Sequence, residues 1–219
     1  GRYSGNEQVV VGTDLANRTS VETEKLMGFF INVLPLRADL SGDPTFRELL
    51  ARVREVSLGA FAHQEMPLDK IVEELSPERS LSHNPLIQVL FVMQNAPRSG
   101  KPIPGLEISY FEIPVTRSKF DVAYFVMERP DGLLGTWLYS TDLFERTTIE
   151  RMAGHYATLL NSIVAQPEAR LSALPMLTEV EQKQADEQKK QNKDSKFKKF
   201  LKAEPKAVSL GQSQKAGKE

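Results

Sequence analysis

The sequence predicts an α/β fold: a two-layer sandwich in which two long helices pack on a mixed, largely antiparallel β-sheet. Three observations predict it. About six short runs rich in β-branched and aromatic residues are separated by turns containing glycine or proline. Two long segments repeat apolar residues every three to four positions. Of the 219 residues 40% are hydrophobic and 26% charged, the balance of a globular chain with enough apolar material for a core.

The elements follow in chain order. Gln8–Gly12 (QVVVG) is a β-branched run closed by glycine and reads as a strand, followed by the polar, turn-rich stretch Asp14–Val21. Phe29–Leu36 (FFINVLPL) is a second strand, and Pro35 inside it marks a sheet edge or a bulge. The first long helix starts behind Ser41-Gly42-Asp43-Pro44. Thr45 and Glu48 have capping-box spacing, and Phe46, Leu49, Leu50, Val53, Val56, Leu58 and Phe61 form its apolar face. A shorter helix, Leu68–Leu75, starts behind Pro67. Pro85–Gln94 (PLIQVLFVMQ) is too apolar to alternate and reads as a strand buried on both faces. Ala96–Gly105 is a loop and Ile108–Val115 an alternating strand. Phe120–Arg129 and Leu133–Ser140 flank the hairpin turn Pro130-Asp131-Gly132. Thr147–Val164 is the second long helix, with Ile149, Met152, Tyr156, Leu159, Leu160 and Ile163 inward, and Ala173–Leu177 closes the body.

Composition narrows the function classes. No run of about 18 uncharged apolar residues is present, so no spanning helix is expected. Gly1–Thr13 has no signal-peptide pattern, and with zero cysteines there is no disulfide framework, thiolate metal site or cysteine nucleophile. A cytoplasmic protein is the expectation. The net charge of −1 hides an asymmetry: residues 181–219 carry 11 Lys against 6 Asp and Glu. The division is therefore a body over residues 1–180 and a basic, Gln/Lys-rich linker or disordered tail over 181–219, in which Glu181–Lys199 has almost no apolar residue.

Motifs for self-contained chemistry are missing. His63 reads as a helix-end residue, His83 as a loop residue and His155 as a helix-surface residue. None has the spacing of a metal site. No phosphate loop and no nucleophile elbow occurs. The tail's Lys196, Lys198 and Lys199 flank Phe197 and Phe200, which reads as a solvated linker rather than a nucleic-acid site.

Local strings carry more. Gly28-Phe29-Phe30-Ile31-Asn32 with Leu34-Pro35-Leu36-Arg37 resembles the G-x-F-V-N-T-x-x-x-R motif of nonribosomal peptide synthetase condensation domains, with Val33 in place of Thr. His63-Gln64-Glu65-Met66-Pro67-Leu68-Asp69 resembles that family's H-Q-D-x-P-F-E motif. The run from Arg79 through Asn84 to Leu86 is similar to R-D-x-S-R-N-P-L, with Ser80 for Asp and His83 for Arg. Thr13–Arg18 resembles G-T-P-V-A-G-R, and Asp142-Leu143-Phe144 suits the domain's usual close. The motifs come in the family's order and cover about residues 1–180.

The resemblance implies a pair of chloramphenicol-acetyltransferase-like lobes facing each other across a tunnel. The family's H-H-x-x-x-D-G motif lies in the first lobe, and this chain has no His-His pair. The resemblance therefore points to the C-terminal lobe alone, and the start at Arg2-Tyr3-Ser4-Gly5, inside a family-like segment, points to a truncated domain. The implied reaction joins two carrier-tethered substrates by an amide bond, as in peptide antibiotic biosynthesis. This lobe would supply tunnel wall and docking surface and be inactive by itself. No catalytic residue is assigned. Asn32, Arg37, His63, Gln64, Arg79 and Asn84 are candidate tunnel or structural residues. Among them Asn32 is a buried amide anchoring its strand or touching substrate, and Arg37 and Arg79 form ion pairs or loop clamps. No cofactor or metal is bound directly, but phosphopantetheine arms of partner carrier proteins are implied. The implied partners are the N-terminal lobe, peptidyl and aminoacyl carrier proteins and neighbouring synthetase domains, with no nucleic acid and no membrane. A docking module without chemistry, and an epimerisation or ester-forming relative, are the alternatives. Lys196–Leu210 faintly resembles the entry to a taurine-dioxygenase-like iron oxygenase.

Overall fold

β-branched Val9–Val11 lie in the first strand of the computed structural model, which describes residues 1–76, 84–95, 105–106 and 117–201. This strand, β1 (Gln8–Leu15), is longer than its Gly12 stop suggests. Asp14 and Leu15 read as turn-rich, yet with Thr13 they continue an eight-pair antiparallel ladder with β2 (Asn32–Asp39). A one-turn helix, α1 (Val21–Glu24), follows β1.

Strand β2 corrects the expected boundary. Phe29, Phe30 and Ile31 lie outside it, because β1 ends at Leu15 and Leu15 already pairs with Asn32. Pro35 sits opposite Gly12 on this edge strand, where its missing N–H costs no ladder bond on the open side. A turn after Asp39 leads into α2 (Phe46–Ala62). There Thr45 Oγ1 accepts from Glu48 N at 3.2 Å, and Glu48 Oε2 accepts from Thr45 N at 2.8 Å, the capping box expected from the sequence. Leu50, Val56, Leu58 and Phe61 of its expected apolar face are exposed. Helix α3 (Leu68–Leu75) starts behind Pro67 and stops at Ser76, whose φ of 42° is left-handed.

Strand β3 (Val89–Gln94) starts later than expected. Asn84 Oδ1 accepts from Leu86 N and Ile87 N at 3.1 and 3.0 Å, so the first residues of the apolar run form a side-chain-closed turn. The expectation of two buried faces is also corrected: Leu90 and Val92 are buried while Val89, Phe91 and Met93 are exposed. The Ile108–Val115 strand and nearly all of the Ala96–Gly105 loop lie outside the described residues.

The hairpin forms as expected. β4 (Val122–Arg129) and β5 (Gly132–Tyr139) pair over eight positions around Pro130-Asp131, and Gly132 takes a φ of 137° open to glycine. Helix α4 (Arg146–Ala165) follows, then a short 3-10 turn, Leu171–Ala173. On α4 the sequence places Leu160 inside and His155 on the surface. The structure reverses both: His155 is buried and Leu160 is exposed.

The described strands form one sheet in the order β2-β1-β3-β4-β5. β1 pairs in parallel with β3, and β3 with β4, while both outer pairings are antiparallel. The antiparallel ladders have eight pairs each against one and six in the parallel ladders, so the sheet is mixed and largely antiparallel. Leu49 of α2 and Met152, Tyr156 and Leu159 of α4 line one cavity together with Trp137 of β5. Both long helices therefore lie on the same face. On the opposite face Leu90, Val92 and Ala123 form a buried cluster with Val33, Phe120, Phe125 and Leu138 against it. Gly12 belongs to that face, and a Cβ there would meet Ile87 Cγ2 at 2.6 Å.

These elements belong to one of two compact units, Gly1–Met176. The other, Leu177–Glu219, contains a single described element, α5 (Glu179–Leu201). Its start is closed by Thr178 and Glu181: Thr178 N donates to Glu181 Oε2 at 2.9 Å, and Glu181 N to Thr178 Oγ1 at 3.4 Å. The segment read as a linker is thus helical to Leu201.

Candidate functional site

Two of the motif strings meet at one end of the sheet. There β1 ends, β2 begins, and the turn from α2 into α3 comes alongside. Asn32, the first residue of β2, reaches this turn. Its Nδ2 donates to the carbonyls of Gln64 and Met66, both at 2.8 Å. Its Oδ1 accepts from Leu68 N at 3.3 Å and from Val33 N at 3.0 Å. Leu68 N is a first-turn donor of α3 with no intrahelical partner, so Asn32 also caps that helix. The partly buried amide is fully used, as burial requires.

His63 and Gln64 contribute mainly backbone here. His63 closes α2 with its N–H on Ala60 O, and its exposed ring lies with Nδ1 2.9 Å from Gly59 O. Gln64 N donates to Phe61 O at 3.3 Å while its carbonyl receives Asn32. Across the turn, Thr19 Oγ1 donates to Glu65 Oε1 at 3.5 Å.

The other candidates are not part of this cluster. Arg37 stands further along β2 opposite Val10. It is exposed, makes no ion pair with a described residue, and acts on Asp39 through its charge. Asn84 closes the turn before β3, and its carbonyl accepts from Gln88 Nε2 at 2.8 Å. Arg79 lies outside the described residues.

Two residues of the Thr13–Arg18 segment gain roles that the sequence alone does not assign. Arg18 donates to the carbonyls of Thr23, Leu26 at 2.9 Å and Gly28 at 3.5 Å, and its guanidinium carbon lies 4.2 Å from the Phe30 ring centroid. Asp14, opposite Val33, has its carboxyl pushed above the ordinary range by burial, although a backbone hydrogen bond works against that. The only sequence signals are an arginine just past a strand and a carboxylate inside a β-branched ladder.

A separate recess lies elsewhere. A cavity of about 670 Å³ on the helix face is lined mainly by apolar groups, with Tyr3, Leu49, Trp137, Met152, His155 and Tyr156 among them. Tyr3 Oη lies 2.5 Å from His155 Nδ1, which accounts for a buried histidine on α4. Tyr124, Trp137 and Tyr156 cluster at centroid distances of 4.4 to 6.1 Å. Burial pushes the Tyr124 and Tyr156 hydroxyls up, and Tyr124 adds to the effect on Tyr156. None of the five described sequence candidates lines this cavity, so the motif end remains the candidate site. Its described side chains position backbone and offer hydrogen bonds. Among the described residues no group of three or more His, Asp or Glu could hold a metal ion, and no helix is long and apolar enough to cross a membrane.

Comparison with known proteins adds a family to this geometry. The family model described as Condensation domain matches residues 1–185. One of the linear gramicidin synthase proteins of Brevibacillus parabrevis is 49% identical over 185 residues, covering 84% of this chain and 2% of that protein. An X-domain from teicoplanin biosynthesis, solved in complex with OxyB, is 32% identical with a TM-score of 0.72, covering 81% of this chain and 40% of the other. The condensation domain of the monacolin K polyketide synthase MokA shares the fold at a TM-score of 0.65 and 24% identity, covering 78% of this chain and 40% of the other.

Proposed function

This chain belongs to the condensation-domain family; we propose that it is the C-terminal lobe of a chloramphenicol-acetyltransferase-like pair that forms amide bonds in nonribosomal peptide biosynthesis. One observation carries the reading. The family match runs from residue 1 to 185, yet the chain spans only 40% of a solved condensation domain and contains no His-His pair. In the whole domain an acceptor amine on one carrier protein attacks the thioester carbonyl on another. The C–N bond forms, the C–S bond breaks, and the amine proton ends on the departing phosphopantetheine thiol. Histidine chemistry for that proton belongs to the other lobe. This lobe positions: the Asn32-anchored turn through His63, Gln64 and Met66 shapes one end of the tunnel wall, and proximity of the two arms supplies much of the acceleration. Arg37, Arg79 and Asn84 are structural in this reading. Its partners are the N-terminal lobe, the carrier proteins and neighbouring synthetase domains, in the cytoplasm. The lobe ends near residue 180, and 181–219 leads onward as a linker.

The test mixes the purified chain with donor- and acceptor-loaded carrier proteins and follows the peptidyl thioester by mass spectrometry. No product is expected from the chain alone, and product is expected from the whole domain. Turnover by the chain alone overturns the assignment. A second reading, a docking module without chemistry, is favoured by the likeness to an X-domain solved in complex with OxyB. It predicts no product from the whole domain either.

A further inference from the structure

Asp14 carries a carboxylate where the sheet gives it little to bind. It pairs with Val33 near the end of the β1–β2 ladder, and residues directly opposite in an antiparallel ladder project to the same face. Val33 packs on the Leu90, Val92 and Ala123 cluster, so the Asp14 carboxylate lies on the face turned away from α2 and α4, at the border of an apolar patch. Gly12, two residues earlier on that face, adds no side chain. Aspartate is depleted in strands, and an ionised carboxylate beside apolar neighbours costs free energy unless it is paired. No other described residue holds it by a salt bridge or a hydrogen bond. Arg18, four residues on, is committed to the carbonyls of Thr23, Leu26 and Gly28. Asp39 and Asp43 show the contrast. Each accepts hydrogen bonds from a serine and is held below the ordinary carboxylate value, whereas burial pushes Asp14 above it. The G-T-P-V-A-G-R motif that this segment resembles has proline here, so the carboxylate is a feature of this chain rather than of the motif.

We infer that Asp14 is this chain's contact for the amine of the acceptor substrate, an inference that rests on the reading of the chain as the positioning lobe of an amide-forming domain. Place is the first argument. The next residue, Leu15, pairs with Asn32, whose amide holds the turn through Gln64 and Met66, so the carboxylate stands one ladder position from the anchor of the tunnel wall. Chemistry is the second. An ionised carboxylate accepts hydrogen bonds and donates none. A thioester group offers only acceptors, whereas an amine presents N–H donors and is positively charged once protonated. The acceptor is therefore the arm that this carboxylate recognises. Asp14 takes part in no covalent step. It holds the nitrogen by a charge-assisted hydrogen bond and so fixes where the attacking atom sits. Energetics is the third. A carboxylate kept beside apolar neighbours without a protein partner lowers stability, and side chains aimed at a substrate are where folds accept such a loss.

The test uses Asp14→Leu and the near-isosteric Asp14→Asn. In the 219-residue chain Asp14→Leu should raise the melting temperature, because an apolar side chain replaces the carboxylate beside Val33. In the whole condensation domain, with donor- and acceptor-loaded carrier proteins, the same substitution should raise the acceptor KM about tenfold or more, the size of one hydrogen bond to a charged group, and leave the donor KM within about twofold. Asp14→Asn keeps an accepting oxygen without the charge and should fall between wild type and Asp14→Leu. A lowered melting temperature for Asp14→Leu shows that the carboxylate is bonded within the fold and overturns the inference. So does an unchanged acceptor KM, and so does an equal rise in both KM values, which marks a general distortion of the tunnel. Peptidyl thioester formation by the wild-type domain separates the two failures. A wild type that makes product while its Asp14 variants keep the acceptor KM sinks the amine contact alone. A wild type that makes no product sinks the amide-forming reading and the contact with it.

Discussion

The side-chain amide of Asn32 holds the backbone carbonyl of Gln64 at 2.8 Å, joining the start of β2 to a turn 32 residues later in the chain. The same side chain also binds Met66 O and Leu68 N. Asn32→Leu keeps the branched shape but leaves four backbone groups, Val33 N among them, without this partner, a cost of about 1–3 kcal/mol. Val33→Thr places the family motif's residue one position on. Val33 packs against the Leu90 cluster on the opposite face, so its cost is that of one hydroxyl near a core and is expected to be smaller. Urea midpoints at matched slopes measure both. A neutral or stabilising Asn32→Leu contradicts the clamp.

Gly135 carries a second packing constraint. A Cβ there would lie 2.2 Å from Tyr124 Oη and 2.7 Å from two of its ring carbons, because the Tyr124 ring lies across β5 at this residue. Gly135→Ala must displace the ring, which stands 4.4 Å from Trp137 centroid to centroid. The expected cost is about 1–3 kcal/mol. Trp137 is the single tryptophan of the chain, so its near-ultraviolet circular dichroism and emission report the movement directly. An unchanged tryptophan signal with unchanged stability contradicts this packing.

Much of this architecture is legible in the sequence where the cause is local. The hairpin follows from Pro130-Asp131-Gly132, and the start of α2 from Thr45 and Glu48, because each feature is decided within four residues. What the sequence hides depends on distant partners. Phe29-Phe30-Ile31 looks like strand until the ladder runs out at Leu15. His155 looks like a surface residue because its partner, Tyr3, is 152 positions away. The Val89–Gln94 run looks buried on both faces because hydrophobicity does not state how much of a sheet its helices cover. At the candidate site Asn32 is legible as a buried amide, but the identity of its partners is not.

Asp43 links the approach to α2 with the turn after α4. Its Oδ1 accepts from Ser172 N at 2.8 Å and its Oδ2 from the Ser172 hydroxyl at 2.6 Å. These bonds, with Arg170 and Arg2 nearby, hold its carboxyl below the ordinary value of 3.8. A lowered folded-state pKa gives stability that is present above the unfolded pKa and lost as pH falls through the folded one. Wild type and Asp43→Asn should therefore differ at pH 7, keep that difference at pH 5, and converge below about pH 4. Melting curves across that range decide it. A difference that fades between pH 7 and 5 would assign the effect to another group.

Helix α5 supplies the last test. Its 23 residues carry Lys, Glu, Asp and Gln with no apolar stripe, with acids in the first turn and lysines concentrated toward the end. That order matches the helix dipole, so local terms favour the helix without a packed face. Such a helix is marginal by itself and opens readily to protease. Brief trypsin treatment should cut first at Lys183, Lys189, Lys190 and Lys193, leaving a resistant fragment that contains Gly1–Met176. A chain ending at Thr178 should keep the unfolding free energy of the full chain, measured in urea, within about 0.5 kcal/mol, the size expected of changes away from a core. Protection of these lysines with earlier cutting inside Gly1–Met176, or a clear loss of stability on truncation, would show that the second unit contributes to the fold of the first.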